Sequence, residues 1–432
     1  MRLAVTLCVA ACGWAAGFGE TFEQFKRRAT PEEMYRFLWA MPKGGDIHMH
    51  MGLSFWAADW YEAAKDRFYT RVRVSGCREE QAPLLYANAP REAWEAMQPC
   101  EKGDYAPVRE VPRDVWISSL ILDRPGEGRD EFFERIVQRV TPLNRDTDLF
   151  GEVFRRNAKR WASENILYVE LMGQPRADEE IPRFQQWARE APLAVRYLGI
   201  FVRFQEDAEA RLARVAGFVD RHRDFWVGIN MAGREDNDKG YPLRFLEPFR
   251  EMRRQYPRIP LTLHAGEVDS PGTQVRDTLK LGATRIGHAV NLVSDPDTML
   301  LMRNGRILIE SNLISNRLLG YTPDLKRHPF VEYLRFGIPV CLNTDDQGSW
   351  DSSLTDEYFE AIRAFNLTWD EVVALGRNSL EHSFAEPPLK KKLLADFEAA
   401  IAAFESSDAW RKAKPVVSGY ARRNLLGAGA AY

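Results

Sequence analysis

His48 and His50, in the run Asp46-Ile-His-Met-His50, place two imidazoles on one face if the segment is a strand, because alternate side chains of an extended chain point the same way. Three more polar clusters end apolar runs: His264-Ala-Gly-Glu267, Arg285-Ile-Gly-His288 and Asn343-Thr-Asp-Asp346. The chain has seven histidines, and four of them fall in these clusters beside carboxylates. His48, His50, His264 and Asp345 form a nitrogen-and-oxygen donor set of the kind zinc accepts. An ion held there would acidify a water molecule and so supply the nucleophile of a hydrolysis. Gly266 lets the chain turn so that Glu267 can reach over a substrate as general acid. His288 is placed to orient or deprotonate the attacking water. Asp346 points away from Asp345 and can touch substrate, and Gly233, after Asn230-Met-Ala, can offer backbone groups at the same mouth.

Each residue also has a plainer reading. The paired histidines could be satisfied interior groups, Glu267 a loop-tip acid in solvent, and Gly233 a turn glycine. The two aspartates could cap a helix, since Ser349, Asp351 and Ser352 come closely after them. Capping would leave the strand histidines without a carboxylate partner. Trp56, Trp60 and Tyr61 either cover the site or pack their helix on the body. His222 lies in a charged run, His328 precedes Pro329 at a helix start, and His382 sits in a helical segment, so none ends a strand. The chain has no Cys-x-x-Cys, which excludes the cysteine-ligated zinc site of cytidine-type deaminases.

Positioning four distant clusters together is a task for the fold. From about residue 165 onward, short β-rich runs alternate with amphipathic stretches, the pattern of a parallel α/β fold. With the segment Asp46 to Met51, the strands expected are Ile166 to Leu171, Val195 to Val202, Trp226 to Met231, Leu261 to His264, Arg285 to His288, Ile307 to Glu310 and Ile338 to Asn343. The pattern predicts a TIM-type (β/α)8 barrel, whose catalytic groups belong at the C-terminal strand ends. A doubly wound sheet would alternate in the same way but would separate the first strand from the last. The first crossover is too long for one helix, so residues 65–145 are expected as an insertion. Residues 20–40 read as an N-terminal helical segment, 41–64 as the first barrel strand and the segment after it, and 146–432 as the rest of the barrel, ending in helices.

The 432 residues are 45% hydrophobic and 28% charged with a net charge of −3, values of an ordinary soluble globular protein. No global basic field exists for nucleic acid, and a small neutral or zwitterionic substrate fits better. Residues 1–19, with Arg2, the apolar stretch Leu3 to Ala11 and small residues to Gly19, read as an export signal too short to span a bilayer. This predicts a periplasmic or extracellular protein. Val9-Ala-Ala-Cys12 resembles a lipobox, with Cys12 as a lipid anchor; alternatively Cys8 and Cys12 are only small residues of the signal core. Cys77 and Cys100 could close a loop worth roughly 3 kcal/mol. Cys341, inside an apolar strand, reads as a buried thiol.

These residues resemble the adenosine deaminase family of the amidohydrolase superfamily. The resemblance runs from Met41 to about Ser383 and rests on Met41-Pro-Lys-Gly44, Gly228-Ile-Asn-Met-Ala-Gly-Arg-Glu-Asp236, His264-Ala-Gly-Glu267, Gly287-His288 and Leu342-Asn-Thr-Asp-Asp346. The leader, the Met-Pro-Lys-Gly lead-in and the cysteine-bearing insertion resemble its secreted branch, the adenosine deaminase growth factors. The resemblance implies zinc on His48, His50, His264 and Asp345, Glu267 as proton donor to N1 of a purine, and His288 acting on the water. It further implies Asp346 and Gly233 holding the purine ring, and a dimer formed through an N-terminal segment such as Phe22 to Leu38. One departure bears on substrate. Cytosolic members carry an aspartate two residues after the second metal histidine and secreted members one immediately after it; here those positions are Gly52 and Met51. A missing acceptor weakens the hold on a ribose hydroxyl by about 1 to 3 kcal/mol unless Asp59, Glu62 or an insertion residue replaces it. Gln347 also stands where proline is usual.

Overall fold

Eight parallel strands form the centre of the molecule in the computed structural model: β1 Gly44–His50, β2 Ile166–Gly173, β3 Ala194–Val202, β4 Trp226–Ala232, β5 Leu261–Ala265, β6 Arg285–His288, β7 Leu308–Ser311 and β8 Val340–Leu342. They pair in chain order, and a parallel bridge between Met49 and Asp345 joins the end of β8 back to β1. The bridge is made by Asp345 N–H donating to His48 O (2.9 Å) and His50 N–H donating to Asp345 O (3.3 Å). The expected TIM-type barrel is therefore present. Its strands are buried on both faces, which is why they read as apolar runs rather than alternating ones. The structure describes residues 17–67, 70–73, 87–88, 95–96, 98–236, 240–268 and 272–426. Most of the leader, Cys12 and Cys77 lie outside the described residues. Cys100 is exposed and Cys341 is buried as a free thiol.

The crossover from β1 to β2 carries helix Ala57–Ala64, a small antiparallel sheet with Arg71–Arg73 between Ala87–Asn88 and Tyr105–Pro107, helical turns from Arg129 to Arg145, and helix Thr147–Ser163. The last of these starts where the Asp146 side chain accepts from Leu149 N–H (2.9 Å). Trp56 and Trp60 pack this region: their indole N–H groups donate to Ser352 O (2.8 Å) and Gly52 O (3.1 Å). Tyr61 meets Trp116 edge-on.

Phe18, which the sequence pattern places inside the leader, begins helix Phe18–Arg28, and its ring lies 4.8 Å from that of Trp369. The next helix, Pro31–Ala40, opens with a reciprocal cap between Thr30 and Glu33. Phe22, Phe25 and Phe37 pack on Trp369, Phe404 and Trp410 of the C-terminal helices, so this face is consumed within the chain. Helix Pro387–Glu405 buries Leu393, Phe397 and Ile401, one turn apart. Among the described residues, no helix is long and apolar enough to cross a membrane.

Candidate active site

The four expected ligands converge at the C-terminal mouth of the barrel. His48 and His50 sit at the end of β1, His264 near the end of β5 and Asp345 just past β8; their ligating atoms all lie within 4.8 Å of one another. His48 Nε2 is 3.1 Å from His264 Nε2. Asp345 Oδ1, buried and without a hydrogen-bond partner, lies 3.1 Å from His50 Nε2 and 3.5 Å from His48 Nε2. Two facing imidazole nitrogens and an orphaned carboxylate oxygen repel unless something positive stands between them. Burial pulls His48 toward neutrality, yet the carboxylates of Asp345 and Glu310 beside it outweigh this and lift it to about 10. The carboxylates thus draw positive charge to their side of the cluster, whereas burial and the neighbouring imidazoles push His264 well down; the donor set suits a borderline divalent ion.

The groups behind the ligands are legible only in three dimensions. Glu310 on β7 holds His48 Nδ1 at 2.6 Å, which keeps the proton on Nδ1 and turns the Nε2 lone pair inward. Glu310 is itself held by Thr262 Oγ1 (2.7 Å) and Arg285 Nε (2.5 Å), and Arg285 also pairs with Glu170 (2.6 Å). Although burial acts against the charged form, Arg285 and His48 hold the Glu310 carboxyl down to about 2. Gly287 matters for what it lacks: a Cβ there would lie 2.6 Å from His48 Cε1. Ser315 Oγ donates to Asp345 Oδ2 (2.7 Å), and Ser54 Oγ donates to Asp345 O (2.7 Å).

Glu267 is buried, with Oε1 3.4 Å from His288 Nδ1 and no hydrogen bond of its own. Burial, reinforced by Asp345 and Glu235, pushes its carboxyl well above the usual range, which favours the protonated form. Its loop is fixed by a member of the 228–236 motif to which the sequence gives no role of its own: Glu235 accepts from Gly266 N–H (2.9 Å) and Glu267 N–H (3.1 Å), backed by Arg203 at 3.6 Å. Arg203 also donates to His264 O. Asp346 is raised in the same way by burial, then by Asp345 and Glu267. It precedes the short helix Gln347–Trp350, but its side chain caps nothing, which removes the capping alternative. Gly233 closes β4 with φ +102°, and a Cβ there would meet Val202 Cγ1 at 2.8 Å, so backbone conformation and close packing both call for glycine.

His288 and Asp345 hold positive φ (68° and 56°), a conformation that non-glycine residues keep only where the surroundings compel it. His288 is kept neutral by burial, down to about 3. Its orientation comes from His328, a histidine that ends no strand. Phe330 N–H donates to His328 Nδ1 (3.1 Å), so the His328 proton sits on Nε2 and goes to Asn316 Oδ1 (3.0 Å). The Asn316 amide then donates to His288 Nδ1 (2.9 Å), which leaves the His288 proton on Nε2. No strand-end signature marks Asn316 or His328; both come after β7 in segments that only the fold brings back. His222, also away from any strand end, faces the exposed Asp178. Asp59 pairs with Arg160 (2.5 Å) and Glu62 with Lys65 and Arg113, so neither serves as the missing acceptor near His50.

A parallel barrel carrying histidines and acids at its C-terminal mouth is the architecture on which amidohydrolase-type sites are built. The family model described as adenosine deaminase matches residues 131–400, and the chain belongs to that family. An adenosine deaminase of Enterococcus faecalis is 36% identical over 167 residues, 39% of this chain and 48% of that one. The chain thus spans about half the length of that relative. An adenosine deaminase of Serratia proteamaculans is 34% identical over 276 residues, 61% of this chain and 81% of that one. In fold, the N6-methyl-AMP deaminase of Arabidopsis thaliana is similar at a TM-score of 0.64 and 21% identity, covering 85% of this chain and 99% of that chain.

Proposed function

We propose that this protein hydrolytically deaminates a 6-aminopurine nucleoside or nucleotide, in the manner of adenosine deaminase, with one zinc ion on His48, His50, His264 and Asp345. The observation that carries the reading is Glu267: a buried carboxyl, 3.4 Å from His288 Nδ1, driven toward its protonated form by burial and set beside the His/Asp cluster, is placed to act as a proton donor, and a binding module has no need of one. The ion would supply an acidified water as nucleophile. Glu267 delivers its proton to the ring nitrogen next to the amino-bearing carbon and so neutralises the charge that addition to that carbon would place there. His288, with its proton on Nε2, orients the water by donating to it rather than by acting as the base. Asp346, whose carboxyl burial drives toward the protonated form, donates to a second ring nitrogen, and Gly233 leaves the ring's edge uncovered. The hydroxyl proton of the adduct passes to the amino group, which leaves as ammonia as the 6-oxo group forms, and the other proton of the attacking water returns Glu267 to its acid form.

The test is ammonia release by purified, zinc-loaded protein from adenosine, deoxyadenosine, adenine, adenosine 5′-monophosphate and their N6-methyl analogues. Inactivity toward all of them rejects the reading. Glu267→Gln should lower kcat by about 100- to 10,000-fold with metal content unchanged, and unaltered turnover would remove Glu267 from the mechanism. We also propose export through the leader, which the mass of the mature N-terminus, with or without lipid on Cys12, would decide.

A further inference from the structure

Beside His50, at the C-terminal ends of β1, β2 and β3, the barrel mouth opens into a cavity of about 370 Å³. Its floor is apolar, built by Leu53, Met172 and Ile200, and its outer wall carries Asn144, Arg145 and Arg176. Asn144 occupies the space over Gly52: a Cβ on that glycine, at φ +84°, would lie 2.8 Å from Asn144 Cγ. The space over Gly52 is thus filled by an amide from the crossover.

Arg176 holds one end of that amide. Its Nη2 donates to Asn144 O (3.0 Å) and Oδ1 (3.1 Å), so the amide oxygen is already engaged by a cation. Phe150 and Phe184 hold the Arg176 guanidinium at 5.3 and 5.0 Å, and no hydrogen bond engages its Nε or Nη1. Arg145 is exposed and forms no ion pair. The one acid in the wall, Glu180, has both oxygens in use, accepting from Thr147 Oγ1 and from Ala177 N–H (3.2 Å). Among the described residues, this wall therefore offers donors and positive charge but no free carboxylate. A ribose hydroxyl seeking an acceptor is poorly served there, whereas an anion finds charge-assisted donors. The small negative net charge of the chain hides this local field.

Building on the deaminase reading, we propose that this cavity holds a phosphate borne on the sugar of the substrate, so that a 6-aminopurine nucleotide is preferred over the neutral nucleoside. The test pairs two measurements on the full zinc-loaded chain: calorimetric binding of inosine 5′-monophosphate against inosine, and kcat/KM for adenosine 5′-monophosphate against adenosine. The monophosphate should be favoured in both by at least about tenfold, the gain of one charge-assisted hydrogen bond, with the preference shrinking as salt is raised. Arg145→Ala, an exposed change that spares the fold, should narrow the ratio, and Asn144→Asp should reverse it. Equal or weaker binding of the monophosphate overturns the inference, as does tighter binding of an adenosine carrying a 5′-carboxylate. If no aminopurine is deaminated, the deaminase reading falls, while the calorimetric comparison still decides whether the cavity takes phosphate.

Discussion

Changing Glu310 to Gln preserves the shape of a buried side chain and removes one of its two acceptors, which exposes how the cradle is held from behind. In the native arrangement Oε2 faces His48 Nδ1 at 2.6 Å, while Oε1 accepts from Thr262 Oγ1 at 2.7 Å and forms an ion pair with Arg285 at 2.5 Å. An amide has one oxygen and one NH2, so it cannot serve both sides. With its oxygen toward Arg285, the NH2 meets the His48 Nδ1–H, and His48 relieves the clash by moving its proton to Nε2, the nitrogen needed for the metal. With the amide turned, Arg285 faces a donor and keeps only Glu170 at 2.6 Å as its acid partner. Loss of the partner behind a ligating histidine weakens metal affinity about 10- to 100-fold, or about 1.4 to 2.7 kcal/mol. The assay is competition for zinc against a coloured chelator of known affinity, run on wild type and Glu310→Gln side by side. A folded variant that holds zinc as tightly as wild type would refute the reasoning, whatever its melting temperature.

Asn316→Ala should break the link from His328 to His288 and lower kcat about 10- to 100-fold with metal content intact; wild-type kcat in a zinc-loaded variant would show that His288 is oriented by other contacts. Gly287→Ala should force the His48 ring aside, at a cost of about 1 to 3 kcal/mol in stability and with weaker zinc retention, both readable by thermal unfolding with and without chelator. Asp356 is raised by burial to about 7. The native state therefore keeps a proton that the unfolded chain, titrating near 4, has lost. Its contribution is fully present below about pH 4 and fades as pH climbs through about 7, at up to about 1.4 kcal/mol per pH unit. Asp356→Asn should flatten this decline, so that urea unfolding at pH 5 and pH 8 finds the variant gaining on wild type as pH rises; a constant difference would contradict it.

Local pattern was enough to read the strands, the barrel and the four residues that cluster at its mouth, because alternation along a strand and position at a strand end are properties of short stretches. His48 and His50 declare themselves by their spacing, and Glu267 by the glycine before it. Donor types likewise marked Asp345 and Asp346, although only the coordinates removed the capping alternative. Long-range contact decided the rest. Glu310 reads as an ordinary strand residue, Asn316 and His328 as helix and turn residues, and Glu235 as one charge in a polar loop, until barrel closure turns their side chains onto His48, His288 and the 264–267 loop. The wall around Asn144 has the same origin: nothing in the local sequence says that a residue so far from Gly52 will fill the space above it. Which hydrogen bonds a buried group makes depends on neighbours distant in the chain, so protonation states and the sign of charge around a substrate belong to the tertiary structure, whereas the alternation that builds the strands is written in adjacent residues.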